Sequence, residues 1–233
     1  MSATENLQAV LAEIENARLK RTVARDEEIT LVAVTKNHGV ELMREVIDAG
    51  ANNIGENRIQ EAAEKFQILN RNVTRHLIGH LQSNKVKQAV KLFDLIQSVD
   101  SRHLAEALDK AAALVPKIQD ILIQVNLARE SQKSGVELEN LNPLISFVEE
   151  SKNLRLRGLM MIAPNFTNPE DCRPLFAQMR ILFDKLKTSR KDFDFLSMGM
   201  TNDYKIAIEE GANVVRLGTA IFGERSLTNG NHR

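Results

Sequence analysis

The sequence predicts an α/β protein formed by a single (β/α)8 barrel of the TIM type, with an extra N-terminal helix. Eight short apolar runs alternate with longer segments in which apolar residues recur at helical spacing. Alternating strands and helices produce a parallel sheet with right-handed crossovers. Eight such units in 233 residues fit a closed barrel better than an open doubly wound sheet. The doubly wound sheet is the alternative, because the second run, NNIG, is a weak strand pattern.

The predicted elements follow one another without a linker. Apolar residues recur at helical spacing near the N-terminus and predict a helix at residues 1–25; they are Leu7, Val10, Leu11 and Ile14. Strands are predicted at residues 29–34, 52–55, 75–79, 95–99, 118–126, 155–162, 195–199 and 214–218. Helices are predicted between them at residues 40–50, 56–69, 83–93, 101–114, 138–151, 171–189 and 201–212. No stretch rich in Pro, Gly or Ser divides the chain, so residues 1–233 are predicted to form one domain with a flexible tail at 226–233.

The composition argues against several classes of protein. Lys plus Arg equals Asp plus Glu at 31 each, whereas a nucleic-acid or membrane-surface binder would show a basic excess. Cys172 is the only cysteine, and no histidine pair has the spacing of metal ligands, so neither disulfides nor a metal site are predicted. The N-terminus lacks the pattern of a signal peptide, and no apolar run reaches the roughly 18 residues that span a bilayer. We therefore expect a soluble cytoplasmic protein with no nucleic-acid or membrane partner.

Lys36 follows the first predicted strand directly after Thr35. In a (β/α)8 barrel all strands end at one face, and the loops of that face carry the chemistry. Lys36 is either a solvated loop lysine or an amine that the barrel mouth partly removes from water, which lowers its pKa. An amine of the second kind forms Schiff bases with carbonyl compounds, pyridoxal phosphate (PLP) among them.

The loops after the last two predicted strands have the composition of an anion site. Gly199 permits a tight turn, and Thr201 or Asn202 can cap the helix that follows. Gly218 and Thr219 form a second turn whose backbone can approach a ligand closely. Barrels often bind phosphate with these two loops. The alternative is ordinary turn chemistry, since glycines are common in such turns.

Arg216 lies inside an apolar run, where a charge is costly unless it is paired. It forms either an internal ion pair, with Glu56 or Asp203 as the candidates, or a hydrogen bond to a ring nitrogen of a bound cofactor. Asn57 follows the second predicted strand and His80 the third. His80 fits a polar loop residue better than a metal ligand. Lys133 lies in a long loop and is either solvated or within reach of the mouth.

Seven segments carry a resemblance to a known family over essentially the whole chain. They are VAVTK at 32–36, GENRIQE at 55–61, HLIGHLQSNK at 76–85, SQKSG at 131–135, LRGLMMI at 156–162, LSMGMTNDY at 196–204 and VVRLGTAIFG at 214–223. In this combination and order the sequence resembles the pyridoxal phosphate homeostasis protein family. The resemblance implies a barrel similar to the N-terminal domain of alanine racemase, with PLP bound as its cofactor.

The resemblance also assigns roles to residues of this chain. Lys36 would form the Schiff base, while Thr201, Gly218 and Thr219 would hold the phosphate. Arg216 would face the pyridine nitrogen and Asn57 would lie beside the ring. His80 and Met198 complete the predicted cofactor-binding set, and no catalytic residue is predicted.

Two positions depart from the pattern of the family. Many relatives have a second lysine where this chain has His38, which puts a role of that position in PLP transfer in doubt. The usual serine of the SMGMS motif is Thr201 here, which keeps the hydroxyl but adds a methyl group next to the phosphate.

The resemblance to alanine racemase raises the question of catalysis. Racemisation needs an acid/base group on each face of the substrate, and the only tyrosine, Tyr204, is predicted to pack at the start of the last helix. An arginine at the pyridine nitrogen also makes PLP a weaker electron sink. We therefore expect a monomer that stores, buffers or delivers PLP without efficient catalysis, with apo PLP-dependent enzymes as the candidate recipients. The alternatives are a weak PLP-dependent amino-acid racemase and a barrel that binds another phosphorylated metabolite, with Lys36 as counter-ion.

Overall fold

Eight parallel strands close into a barrel in the order in which they occur in the chain. The structure, a computed structural model, describes residues 2–128 and 134–223. Each strand pairs with the next, and the last pairs with the first. The strands are β1 (Thr30–Val34), β2 (Asn53–Glu56), β3 (Thr74–Leu77), β4 (Leu95–Val99), β5 (Gln119–Gln124), β6 (Leu154–Met160), β7 (Phe195–Ser197) and β8 (Val214–Leu217). The predicted (β/α)8 barrel is therefore confirmed, and the doubly wound alternative is wrong.

Helices surround the barrel and cover its outer face. They are α1 (Ala3–Leu19), α2 (Val40–Asp48), α3 (Ile59–Ile68), α4 (Val86–Leu92), α5 (Arg102–Ala112), α6 (Leu138–Glu150), α7 (Arg173–Lys187), α8 (Tyr204–Glu209) and α9 (Thr219–Phe222). Single 3-10 turns precede α4 and α7, at Ser83–Lys85 and Pro169–Cys172. The short helix α9 lies in a segment that the sequence analysis treated as a turn. None of the helices in the described ranges is both long and apolar enough to cross a membrane.

The main hydrophobic core lies between the strands and the surrounding helices. Successive side chains of a strand point to opposite faces, so Ile96 belongs to this outer core while Leu95 and Gln97 point into the barrel. Leu95, Leu122 and Met160 form a separate apolar cluster in the interior. Buried polar side chains, Gln97 and Ser197 among them, occupy the interior as well. The barrel is therefore filled by side chains, as expected for eight strands.

Helix α1 packs beside α8 and α9. Its buried face is formed by Leu7, Val10, Ile14 and Ala17, which recur three and four residues apart. Leu11 was predicted on this face but is 38% exposed, because it lies about 100° around the helix from Val10. A capping box of Ser2 and Glu5 begins the helix.

The N-terminal helix ends at Leu19, so the predicted extent of residues 1–25 is too long. The buried spacing stops at Ala17, and the segment after Lys20 turns back around the side chain of Arg21. Arg21 is 2% exposed and donates hydrogen bonds to the carbonyl oxygens of Ala24, Glu27, Ile208 and Ala212. Burial lowers its pKa to about 10, so it remains a cation at neutral pH. The predicted tail at 226–233 and Lys133 lie outside the described residues.

Replacing Arg21 tests whether this arginine fastens the N-terminal segment to the barrel. We expect Arg21→Ala to lower the free energy of unfolding by about 2–4 kcal/mol, since several buried carbonyl groups lose their donor. Urea unfolding with an unchanged m value measures the effect. Arg18→Ala is the matched control, because Arg18 pairs with the exposed Glu15, and we expect a change of at most about 1 kcal/mol. Equal effects of the two substitutions would contradict this role of Arg21.

Candidate functional site

A cavity of about 560 Å³ opens at the carboxyl ends of the strands. The loops after β1, β2, β6, β7 and β8 contribute to its lining. Six of the predicted cofactor-binding residues lie in this lining: Lys36, Asn57, Thr201, Arg216, Gly218 and Thr219. Strand closure therefore brings together residues that are as far apart in the chain as β1 and β8.

His80 and Met198 were predicted in the same set but do not line this cavity. The His80 side chain is 59% exposed, and its Nδ1 lies 3.9 Å from Asp100 Oδ2. Met198 is fully buried in the outer core. It follows Ser197, which points into the barrel, so the alternation of faces turns Met198 outward.

Lys36 is half-buried and shares the cavity wall with Val34. The residue before it, Thr35, is fully buried. The Thr35 hydroxyl donates to Glu56 Oε1 at 2.7 Å, and this bond joins the end of β1 to the end of β2. Thr35 and Glu56 directly precede Lys36 and Asn57, so this buried contact fixes the backbone from which both cavity residues extend.

The ammonium group of Lys65 completes this buried cluster. It donates to Glu56 Oε1 at 2.8 Å, to the Thr35 carbonyl oxygen at 2.8 Å and to Glu61 Oε1 at 2.6 Å. The sequence analysis missed Lys65. The available signal was its position in α3 on the face of Ile59, Ala62 and Phe66, where a charge needs a partner.

The carboxyl group of Glu56 is completely buried. Burial raises its pKa, and the hydrogen bond from Lys65 opposes this shift. Its Oε2 has no hydrogen-bond partner in the described part of the chain. Glu56 therefore depends on Lys65 and Thr35, both of which bond to the other carboxyl oxygen.

Asn57 lies between the cavity and the end of β3. A side chain at Gly79 would clash with the Asn57 carbonyl group, so glycine permits the close approach of the two loops. The side-chain oxygen of Asn57 is buried and lacks a hydrogen-bond donor among residues 2–128 and 134–223. Because Asn57 lines the cavity, this oxygen can accept a hydrogen bond from a donor group of a ligand.

Arg216 is 3% exposed, and its guanidinium group reaches the cavity. One Nη donates to Ser197 Oγ and the other to the Met161 carbonyl oxygen, the latter at 2.8 Å. The predicted ion pair with Glu56 is wrong, because Lys65 is the partner of that carboxylate. Asp203 raises the pKa of Arg216 through its charge without forming an ion pair within the described ranges. Burial dominates and lowers the pKa of Arg216 to about 10, which leaves it cationic at neutral pH.

The turn after β7 differs from the predicted helix cap. Helix α8 begins at Tyr204, so Asp203 occupies the cap position instead of Thr201 or Asn202. Asp203 Oδ1 accepts a hydrogen bond from the Met200 amide at 2.6 Å. Gly199 has φ +94°, and a side chain there would collide with Ala207 and Tyr204. The positive φ of Gly199 and the hydrogen bond from the Met200 amide to Asp203 shape the turn, and this turn places Thr201 at the cavity.

The two glycine-containing turns meet at the Thr201 hydroxyl. Thr201 Oγ1 accepts a weak hydrogen bond from the Ala220 amide at 3.4 Å, which connects the turn after β7 with α9. The backbone amides of Thr201 and Asn202 donate no hydrogen bond within residues 2–128 and 134–223. Free amides beside Gly218 and a cationic Arg216 give this side of the cavity the character of an anion site.

The loop after β6 is the part of the cavity that the sequence analysis did not single out. Ile162, Ala163, Pro164 and Asn165 of this loop belong to the lining. Tyr204 does not belong to the lining, because its hydroxyl group donates to Glu13 on α1. Packing was predicted for Tyr204, and this contact is consistent with it.

Comparisons with known proteins agree with the geometry. The family model of the alanine racemase N-terminal domain matches residues 7–226. A protein of Aquifex aeolicus (strain VF5) named pyridoxal phosphate homeostasis protein is 41% identical over 227 residues, which cover 97% of this chain and 99% of the relative. The structure of PipY from Synechococcus elongatus PCC7942 with PLP bound superposes with a TM-score of 0.82 at 34% identity and covers 95% of this chain and 100% of PipY. The alanine racemase of Clostridium difficile 630 shares the fold alone, with a TM-score of 0.72 at 16% identity over 95% of this chain and 56% of the racemase.

Removing Lys65 tests the buried cluster that holds the ends of β1 and β2. We expect Lys65→Met to lower the free energy of unfolding by about 3–5 kcal/mol, because it leaves the Glu56 carboxyl group buried without its cation. Adding Glu56→Gln to Lys65→Met should recover about 1–2 kcal/mol, since the unpaired charge is then gone. Urea unfolding of the four proteins of this double-mutant cycle gives both values, with Lys87→Met as an exposed control. A double variant no more stable than Lys65→Met would contradict the pairing.

Proposed function

Because this chain belongs to the alanine racemase N-terminal domain family, and within it to the pyridoxal phosphate homeostasis proteins, we propose that it binds PLP reversibly at Lys36. In this role the protein stores or buffers PLP, or delivers it to apo-enzymes. The observation that carries the proposal is that Lys36 shares one cavity with Arg216 and with the turns at Thr201 and Gly218.

The residues of the cavity fit the phosphate group and the ring hydroxyl of PLP. The free amides of Thr201 and Asn202, with Gly218 next to them, suit its phosphate group. The partnerless side-chain oxygen of Asn57 can accept a hydrogen bond from the ring hydroxyl. The volume of about 560 Å³ lies within the range of small-molecule sites.

PLP supplies an aldehyde, with which a primary amine condenses as water leaves. Lys36 supplies the amine, and the buried Thr35 and Glu56 fix the end of β1 from which it extends. The position of the amine is thus set by the barrel, while its half-buried side chain keeps contact with solvent. That combination favours reversible holding, because water has access to the bond.

Arg216 favours binding over catalysis. Guanidinium groups only donate hydrogen bonds, so an arginine at the pyridine nitrogen of PLP keeps that nitrogen unprotonated. A neutral pyridine withdraws electrons less strongly than a pyridinium paired with a carboxylate. Ser197 and the Met161 carbonyl hold Arg216 in the orientation that reaches the cavity.

A weak amino-acid racemase is the second candidate, because Asp203 also lines the cavity. Burial raises the pKa of this carboxyl group, which is a property of acid/base residues. However, Asp203 Oδ1 is taken by the Met200 amide, and Oδ2 lies 3.8 Å from Cys172 Sγ. These contacts support a structural part for Asp203 in the turn after β7.

Lys36→Ala and Lys36→Arg separate covalent from electrostatic binding. With PLP we expect the wild-type protein to show a yellow absorption band that borohydride removes as it fixes the ligand. Both variants should lack the band, since neither alanine nor arginine condenses with an aldehyde under these conditions. Lys85→Ala serves as a control and should keep it.

If Lys36→Arg bound PLP as tightly as the wild type does, Lys36 would act as a counter-ion only. That result would favour the site of another phosphorylated metabolite. Loss of the band in Lys85→Ala as well would show that the band does not report on Lys36.

The racemase candidate makes a separate prediction. If Asp203 and Lys36 acted as an acid/base pair, alanine would exchange its α-hydrogen in D2O faster with the PLP-loaded protein than with free PLP. We expect no acceleration by the protein, and NMR of alanine measures it. An acceleration that Asp203→Asn abolishes would establish catalysis and overturn the proposal of a non-catalytic carrier.

A further inference from the structure

A row of buried polar side chains crosses the interior of the barrel below Arg216. It consists of Arg216 on β8, Ser197 on β7, Gln97 on β4, His76 on β3 and Asn53 on β2, and we call it the polar row. Arg216 Nη1 bonds to Ser197 Oγ, which lies 2.7 Å from Gln97 Oε1. Gln97 Nε2 lies 2.9 Å from His76 Nδ1, and His76 Nε2 lies 3.0 Å from Asn53 Oδ1. The four side chains from Arg216 to His76 are each at most 3% exposed, and Asn53 at the end of the row is partly buried.

The hydrogen bonds of the polar row all run in the same direction. Arginine can only donate, so Ser197 Oγ accepts from Arg216, and its own hydrogen is donated to Gln97 Oε1. Gln97 then accepts with its oxygen and donates with its amide nitrogen to His76 Nδ1. The remaining ring hydrogen of His76 is therefore on Nε2 and is donated to Asn53.

This arrangement requires a neutral His76. A protonated ring would carry a hydrogen on Nδ1 and oppose the amide hydrogen of Gln97. Burial lowers the pKa of His76 to about 4, so the ring is neutral at physiological pH. Four bonds that all point the same way also polarise one another and thereby strengthen the row.

The polar row ends where solvent can reach it. Asn53 and His76 line a second cavity of about 220 Å³ at the amino ends of the strands, where Thr30 and Val214 begin β1 and β8. The row thus spans the barrel from the site of Arg216 to the opposite face. An apolar interior would fill the same space at lower cost, because buried polar groups are expensive unless fully bonded.

We propose that the polar row positions the guanidinium group of Arg216, so that Gln97 and His76, which do not line the cavity of Lys36, determine how well the ring of the ligand is bound. With one Nη committed to Ser197 and the other to the Met161 carbonyl, rotation of the guanidinium group is blocked. Arg216 itself lines the cavity. The identity of the ligand as PLP rests on the function proposed above, whereas the positioning of Arg216 does not.

The test compares two buried glutamines on neighbouring strands. Gln97 belongs to the polar row, whereas Gln119, at the start of β5, donates to the carbonyl oxygens of Asp94 and Asp120. Both are completely buried, so Gln97→Met and Gln119→Met create similar changes in volume and polarity. We expect Gln97→Met to weaken PLP binding about tenfold and Gln119→Met by less than about twofold. Ser197→Ala removes the next member of the row and should weaken binding at least as much as Gln97→Met.

The same variants are then compared without ligand by NMR of the arginine side-chain nitrogens. We expect the Nη hydrogens of Arg216 to exchange with water much faster in Gln97→Met than in the wild type or in Gln119→Met. Unchanged exchange in both Gln97→Met and Ser197→Ala would overturn the proposal. So would equal weakening of PLP binding by Gln97→Met and Gln119→Met.

The two experiments also keep the two proposals apart. If the wild-type protein failed to bind PLP, the proposed function would be wrong, and the exchange of the Arg216 hydrogens alone would decide on the polar row. If the wild type bound PLP and the exchange rates responded to neither Gln97→Met nor Ser197→Ala, the function would stand and the row would have no positioning role.

Discussion

The pairing of β8 with β1 is the constraint on which the rest of the molecule depends. It closes the sheet, with Val32 opposite Arg216 and Ala33 opposite Leu217. Parallel pairing puts all eight carboxyl ends at one face, and closure brings Lys36 next to residues about 180 positions later in the chain. Without this pairing the lysine, the arginine and the two glycine-containing turns would have no common cavity.

Closure also creates an interior that must be filled, and this chain fills part of it with polar groups. Ser197 and Gln97 lie in this interior below Arg216. The buried cluster of Thr35, Glu56 and Lys65 lies outside the barrel, between the strands and α3, and holds the ends of β1 and β2. Burial of such groups is unfavourable unless their hydrogen bonds are made. At the carboxyl end these polar groups fix the positions of Lys36 and Arg216. A ligand-binding site requires such positions to be held to within about 0.5 Å.

The fold could be predicted from the sequence because the pattern of buried strands and amphipathic helices is local. Even the weak run at 52–55 is a strand, which barrel closure stabilises on both edges. The convergence of Lys36, Arg216 and Thr201 could be predicted as well, since it follows from a parallel sheet that closes into a barrel. The extent of α1 could not be predicted. The chain leaves the helix before Arg21, whose side chain donates to the carbonyl oxygens of Ile208 in α8 and of Ala212 just after it. Lys65 and the polar row were missed because their partners are set by the register between strands, which the sequence does not display.

The central claim is that one lysine of this chain, Lys36, forms the bond to PLP. Peptide mapping by mass spectrometry, after incubation with PLP and reduction with borohydride, tests it most directly. The account predicts a pyridoxyl group on the peptide that contains Lys36 and, at stoichiometric PLP, on no other. Modification spread over exposed lysines, with Lys36 unmodified, would contradict the account and leave the cavity as a site for a different anion.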